Sequence, residues 1–185
     1  DKYSGGLGTY TANHVPMAIH APDVGRTYFV YGGTRAGRRH LLAMVSYYDH
    51  QRHRVPRPTV VHDKKGVDDP HDNPSLCLDG EGHLWIFVSG RARARPGLIF
   101  RSREPHRIDA FEKVAEREFT YPQPRWIDGV GFVGRSWDRR NRGRGRSVPG
   151  AKSRCGRVRI RASPGERPAI SRDPVRGITT TFDAR

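Results

Sequence analysis

Two stretches of this chain repeat each other at a spacing of 55 to 58 residues, and that spacing limits the folds open to it. His14-Val15-Pro16 opens the first unit and His71-Asp72-Asn73-Pro74 opens the second. Within them Phe29 matches Ile86 and Val45 matches Phe100. A third unit begins at Tyr121-Pro122-Gln123-Pro124, where Asp128-Gly129-Val130-Gly131-Phe132 echoes Asp79-Gly80-Glu81-Gly82-His83, and there the pattern stops. Each unit is made of apolar runs of strand length, such as Leu41 to Tyr48 and Gly97 to Phe100, bordered by Gly32-Gly33, Gly90 and other residues that suit tight turns. Tyr28-Phe29-Val30-Tyr31 and Leu84-Trp85-Ile86-Phe87-Val88 are apolar without alternation, which predicts strands covered on both faces. Only Ile108 to Arg117 has a helix-like spacing, and it reads equally well as a strand.

Units of roughly 50 residues with about four strands each, and no crossover helices between them, predict an all-β chain built as a partial β-propeller of about two to three blades. A β-sandwich also uses short strands and frequent turns, but it does not account for the repeat.

Charge divides the chain where the repeat ends. The whole sequence is strongly basic, at +15, and only 35% hydrophobic. Of its 34 Lys and Arg, 15 lie after Val133 against four acids, while all nine His and all seven Tyr lie before residue 134. The segment 134–185 is mostly Arg, Gly, Pro, Ser and Ala, with Trp137 and Phe182 as its aromatics. Ordering a residue costs roughly 1–2 kcal/mol of backbone entropy, and this composition has little apolar area to offset it. We therefore divide the chain into a propeller-type region, 1–133, and a disordered basic tail, 134–185. The change falls inside a repeat unit and in the middle of a strand-like run, and Arg, Gly, Pro, Ala and Ser are what a GC-rich gene encodes out of frame. A frameshift product is the favoured origin of the tail; a genuine polyanion-binding arm is the alternative. Nucleic acid is an expected partner only in the second case.

Cys77 and Cys155 fall in unlike contexts, so the sequence offers no disulfide framework. It has no apolar run of about 18 residues, so no membrane association is expected. The chain begins at Asp1 with no charged-then-apolar leader, which fits a processed protein or a fragment. A phosphate-binding glycine loop, a nucleophile elbow and a CxxC pair are also missing from the sequence.

Several longer segments carry a family resemblance: Tyr28-Phe29-Val30-Tyr31-Gly32-Gly33-Thr34, Met44-Val45-Ser46-Tyr47-Tyr48-Asp49, and Asp69-Pro70-His71-Asp72-Asn73-Pro74-Ser75 followed by Gly82-His83-Leu84-Trp85-Ile86-Phe87. Over residues 1–133 the chain resembles the BNR-4 repeat-containing proteins, which are similar to the propeller-shaped ulvan lyases and more remotely to sialidases. The Asp box of BNR repeats, Ser/Thr-x-Asp-x-Gly-x-x-Trp, is altered here: Cys77 replaces the hydroxyl residue and Gly82 comes one position late. The resemblance implies a complete protein of about seven blades, of which this chain holds fewer than three. It also implies a secreted or periplasmic carbohydrate-active protein, polysaccharide lyase-like and acting on an acidic polysaccharide without a cofactor. On that reading the parent is an enzyme and the present chain is inactive. The alternatives are a sialidase-like glycoside hydrolase and a non-catalytic carbohydrate-binding or interaction propeller.

A uronate lyase needs a base, an acid for the departing oxygen and a donor that neutralises the sugar carboxylate. His14 and His71 occupy equivalent repeat positions just ahead of a proline, and the resemblance points to the same positions; they are the base and acid candidates. Tyr31 joins them as a catalytic candidate, with core packing as its plainer role. Arg91, beside Gly90, and Arg101, which alternates away from Phe100, are the candidates for holding an acidic sugar, each with a surface role as the plainer reading. Asn73, in the His71 motif, is a third substrate-binding candidate. Asp63, Asp68, Asp69, Asp72 and Asn73 gather in one loop, but their spacing matches no known calcium loop. His50, His53 and His62 lack metal-ligand spacing and are expected at the surface, so no metal site is predicted.

Overall fold

A computed structural model describes residues 15–38, 40–91, 93–128 and 130–137, together with the strand segments 156–160, 169–170 and 179–183; from residue 134 onward it describes backbone pairing only. Sheet 1 is an antiparallel meander of β1 (Ala18–Ala21), β2 (Arg26–Thr34), β3 (His40–Asp49) and β4 (Thr59–Lys65). Sheet 2 repeats it with β5 (Pro74–Leu78), β6 (Leu84–Val88), β7 (Gly97–Ser102) and β8 (Phe111–Arg117). Sheet 3 starts in the same way, with β9 (Thr120–Ile127) antiparallel to β10 (Gly131–Trp137). This is the all-β, partial propeller-like stack that the repeat predicts.

Three strands of sheet 3 come from the segment read as a disordered tail. β11 (Gly156–Ile160) pairs antiparallel with β10, β12 (Ala169–Ile170) lies at the edge, and β13 (Thr179–Asp183) runs parallel to β11. The parallel pair departs from the meander of the first two sheets. The rest of that segment lies outside the described residues.

Strand pairing shows how closely the units correspond. Phe29 faces Ala18 in sheet 1 as Ile86 faces Leu76 in sheet 2. On the other side Phe29 faces Ser46, whereas Ile86 faces Phe100. The partner of Phe100 in the repeat is therefore Ser46, not Val45 as the sequence comparison predicts. Because side chains alternate along a strand, that single step moves a residue to the opposite face. The stretch with helix-like spacing, Ile108 to Arg117, is largely β8, paired along the edge of β7 through a register shift between Ile99 and Phe100. Hydrogen bonding to that edge decides a segment whose periodicity is ambiguous.

Sheet 2 is covered on both faces. Leu84, Ile86 and Val88 pack with Leu76, Leu98 and Phe100 against Tyr28, Val30, Ala43 and Val45 of sheet 1. Trp85 and Phe87 turn the other way and pack with Cys77, Ile99 and Phe119 against Phe132 of sheet 3. Full burial of each such aliphatic side chain contributes about 1.5–3 kcal/mol, so the two clusters carry the stack. Sheet 1 differs: Tyr28 and Val30 are buried toward sheet 2, while Phe29 and Tyr31 stay half-buried on the opposite face, stacked on each other with centroids 6.1 Å apart.

Polar ties join the sheets where their first strands meet. Leu76 N–H donates to Pro16 O at 2.9 Å, Ser75 Oγ to Pro122 O at 2.8 Å, and Tyr121 N–H to Ser89 Oγ at 3.0 Å. At the far end of sheet 2, Asp79 closes the β5–β6 turn in spite of the displaced glycine. Its carboxylate accepts from Glu81 N at 3.0 Å, His83 N at 2.8 Å and Trp85 Nε1 at 2.8 Å.

Candidate functional site

The loop entering β5 is built by its own sequence. Pro70 opens a single 3-10 turn, Pro70–Asp72, where its fixed φ suits the first helical position and its missing N–H leaves no donor unpaired. Asp69 caps the turn by accepting from His71 N–H at 3.0 Å, and Asn73 N–H closes it onto Pro70 O at 3.2 Å. His71 is thereby left near the rim, with its side chain 15% exposed, while Asp72 and Asn73 point inward and are fully buried.

A buried charge network supports that turn. Lys64, at the end of β4, reaches across from sheet 1 and places Nζ 2.8 Å from Asp72 Oδ2 and 2.6 Å from Ser89 O. Arg95 lies along two carboxylates: Nε is 2.7 Å from Asp72 Oδ2, and Nη2 is 3.2 Å from Asp72 Oδ1 and 2.7 Å from Asp69 Oδ2. Burial pushes the Asp72 carboxyl up and the Lys64 ammonium down, because desolvation disfavours either charge, and the pairing of the two opposes both shifts.

At the rim, His71 Nδ1 lies 2.5 Å from Asp69 Oδ1. Burial alone would raise the Asp69 carboxyl, but the hydrogen bonds from His71 and Arg95 outweigh it and bring Asp69 down to about 2. Arg91 is held more loosely, with Nε 3.6 Å from Asp69 Oδ2 and a side chain 33% exposed. The His71 ring rests against Tyr121 of β9, centroids 5.7 Å apart and planes at 46°. Tyr121 has a φ of 54°, in the left-handed region that non-glycine residues seldom occupy. All three sheets thus meet at one rim: Lys64 from the first, His71, Arg91 and Arg95 from the second, Tyr121 from the third.

The sequence candidates divide around this cluster. His71 and Arg91 are brought together through Asp69. Asn73 sits behind them, packed so closely on Gly32 that a Cβ at Gly32 would lie 2.0 Å from Asn73 Oδ1. Tyr31 is at the same end of its sheet but on the face opposite Gly32, stacked on Phe29, and burial pushes its hydroxyl up. Arg101 is at the other end of sheet 2, over the Trp85 ring at 5.8 Å and 3.3 Å from Glu81 Oε2. His14 lies outside the described residues.

The acidic loop is occupied by basic side chains. Asp63 pairs with Arg35 and His40, and Asp69 and Asp72 with the groups above. Among the described residues no group of three His, Cys, Asp or Glu is disposed to hold a metal ion. His50 and His53 are exposed, whereas His62 is half-buried against the Phe100 ring at 5.4 Å, and that burial lowers its pKa. No described helix is long and apolar enough to cross a membrane.

Sequence reasoning missed Lys64, Asp69, Arg95 and Tyr121 as members of the site. Asp69 before Pro70 carried a local signal, a capping residue ahead of a proline. The others carried none, since Lys64 and Arg95 meet Asp72 only once the strands are stacked.

This stack of sheets is also found in a solved enzyme structure. The chain shares its fold with an ulvan lyase. The structure of a PL25 ulvan lyase bound to -[GlcA(1-4)Rha3S]- is similar to it at a TM-score of 0.57 and 20% sequence identity. A second structure of a PL25 ulvan lyase gives 0.56, again at 20% identity. In both, the match covers 72% of this chain and 33% of the other, so the chain spans about a third of their length. No family model matches the sequence, and no curated protein matches it either.

Proposed function

We propose that these blades belong to a carbohydrate-active propeller, similar to the polysaccharide lyases and of the BNR-4 kind, that acts outside the cytoplasm on an acidic polysaccharide. The observation that carries this reading is the His71 imidazole held at a rim beside Arg91, on a fold shared with an enzyme of that class. In a β-elimination a base takes the proton from the carbon beside the uronate carboxylate, a cation neutralises the carboxylate, and a double bond forms as the neighbouring carbon–oxygen bond breaks. The departing oxygen takes the electron pair and is protonated by an acid. His71 suits one of the proton transfers and His14, its repeat equivalent, the other. Arg91, more loosely held by Asp69 than Arg95 is, suits the sugar carboxylate.

Titration of the chain with uronate oligosaccharides tests the reading. Binding should weaken at least tenfold in Arg91→Ala and be unchanged in Arg101→Ala. Because 15 bases lie beyond Val133, the contribution of the rim is taken from these variants and not from total binding. In a protein that includes the remaining blades, a new ultraviolet absorbance from the unsaturated uronate marks elimination. New reducing ends without that absorbance would put hydrolysis in its place, and equal binding by Arg91→Ala would count against the site itself.

A further inference from the structure

The acidic residue at the rim has more contacts than turn capping requires. Asp69 Oδ1 accepts from the backbone N–H of His71, which by itself completes the cap. The same oxygen also meets Nδ1 of the His71 ring at 2.5 Å. Its second oxygen is fixed by Arg95 Nη2 at 2.7 Å, and Arg95 is itself tied to Asp72, whose side chain is fully buried and anchored by Lys64. The ring is backed on one side by Tyr121. A surface turn needs only the first of these contacts; the others fix the orientation of an imidazole.

We propose that Asp69 is a positioning residue for His71: it holds the ring by Nδ1–H, so that Nε2 is the nitrogen that exchanges a proton with the bound sugar. This rests on the function proposed above. A neutral imidazole carries one proton, and the hydrogen bond made by one ring nitrogen decides the state of the other. With the proton on Nδ1 donated to a carboxylate, Nε2 carries a lone pair and can act as a base. When Nε2 takes a proton from substrate the ring becomes a cation, and its Nδ1–H still faces an anion. Asp69 remains ionised through neutral and mildly acidic pH, since its carboxyl titrates near 2. Arg95 and Lys64 balance Asp69 and Asp72 in number, and Arg91 adds one further positive charge beside the ring.

The test is nitrogen NMR of the full chain carrying 15N-labelled histidine, with His71 assigned by its loss in His71→Gln. The neutral ring should show the Nδ1–H tautomer. Asp69→Ser keeps a side-chain oxygen able to cap the turn but is too short to reach Nδ1 as well, so the fold should persist while the ring moves to the Nε2–H form favoured by a free histidine side chain. Asp69→Glu should recover part of the Nδ1–H signal. If the native ring is already the Nε2–H tautomer, or if Asp69→Ser leaves the tautomer unchanged with the chain folded, the proposal is overturned. The tautomer is read without sugar, so a chain that fails to bind uronates but loses Nδ1–H in Asp69→Ser would refute the carbohydrate reading and support the pairing.

Discussion

Replacing Gly32 by alanine adds one methyl group where the structure has no room for it. The new Cβ would lie 2.0 Å from Oδ1 and 2.9 Å from Cγ of Asn73, a side chain that is itself fully buried. Gly32 has no positive φ, so the backbone accepts alanine and the whole effect is steric. Forcing an extra carbon into a packed interior costs about 1–3 kcal/mol. Displacing a buried amide from its place adds about 1–3 kcal/mol. Gly32→Ala should therefore lose about 2–6 kcal/mol, a large part of the ~5–15 kcal/mol that holds a typical domain. Gly33 is a control in the same strand: a Cβ there meets Met44 Cγ at 3.0 Å, the bend of a flexible side chain, and the cost should stay below about 1 kcal/mol. Midpoints of urea unfolding give both values. Asn73→Ala in the Gly32→Ala background should recover part of the loss, because it removes the atoms that clash. Equal stability of the two glycine variants, or no recovery in the double variant, would refute the close packing of β2 on the His71 loop.

Three further outcomes follow from the charges and turns. Asp69 titrates near 2, below its ordinary value of 3.8, so its ionised form stabilises the fold above about pH 4 and that contribution is lost as pH falls through 2; Asp69→Asn should be less stable than the native chain at pH 6, and urea midpoints should converge toward pH 2. Lys64→Ala removes one of the two cations on a fully buried carboxylate and should cost about 3–5 kcal/mol, with Lys64→Ala/Asp72→Ala losing less than the sum of the single changes. Asp79→Ala strands Glu81 N, His83 N and Trp85 Nε1 and should lower stability by about 1–3 kcal/mol for each buried donor left unpaired, with a shift in Trp fluorescence; Arg101→Ala, at the edge of that turn, should cost under about 1 kcal/mol.

The fold was legible in this chain because it is repetitive and local. Short apolar runs between Gly and Asp turns give strands, and a spacing near 57 residues gives stacked sheets. The unbroken apolar run Leu84 to Val88 gives a strand buried on both faces, which the two clusters on either side of sheet 2 show it to be. The turn at Asp69-Pro70 is equally local, since a cap and a proline act within four residues. What the tertiary structure decided is which side chains meet across sheets: that Ser46 and not Val45 corresponds to Phe100, that Lys64 and Arg95 converge on Asp72, that Tyr121 backs His71, and that Arg101 lies at the far end from both. The physical reason is the two-residue period of a strand. Composition and spacing specify that a strand forms, but one residue of register sends a side chain to the opposite face, and only packing between neighbouring sheets selects the register.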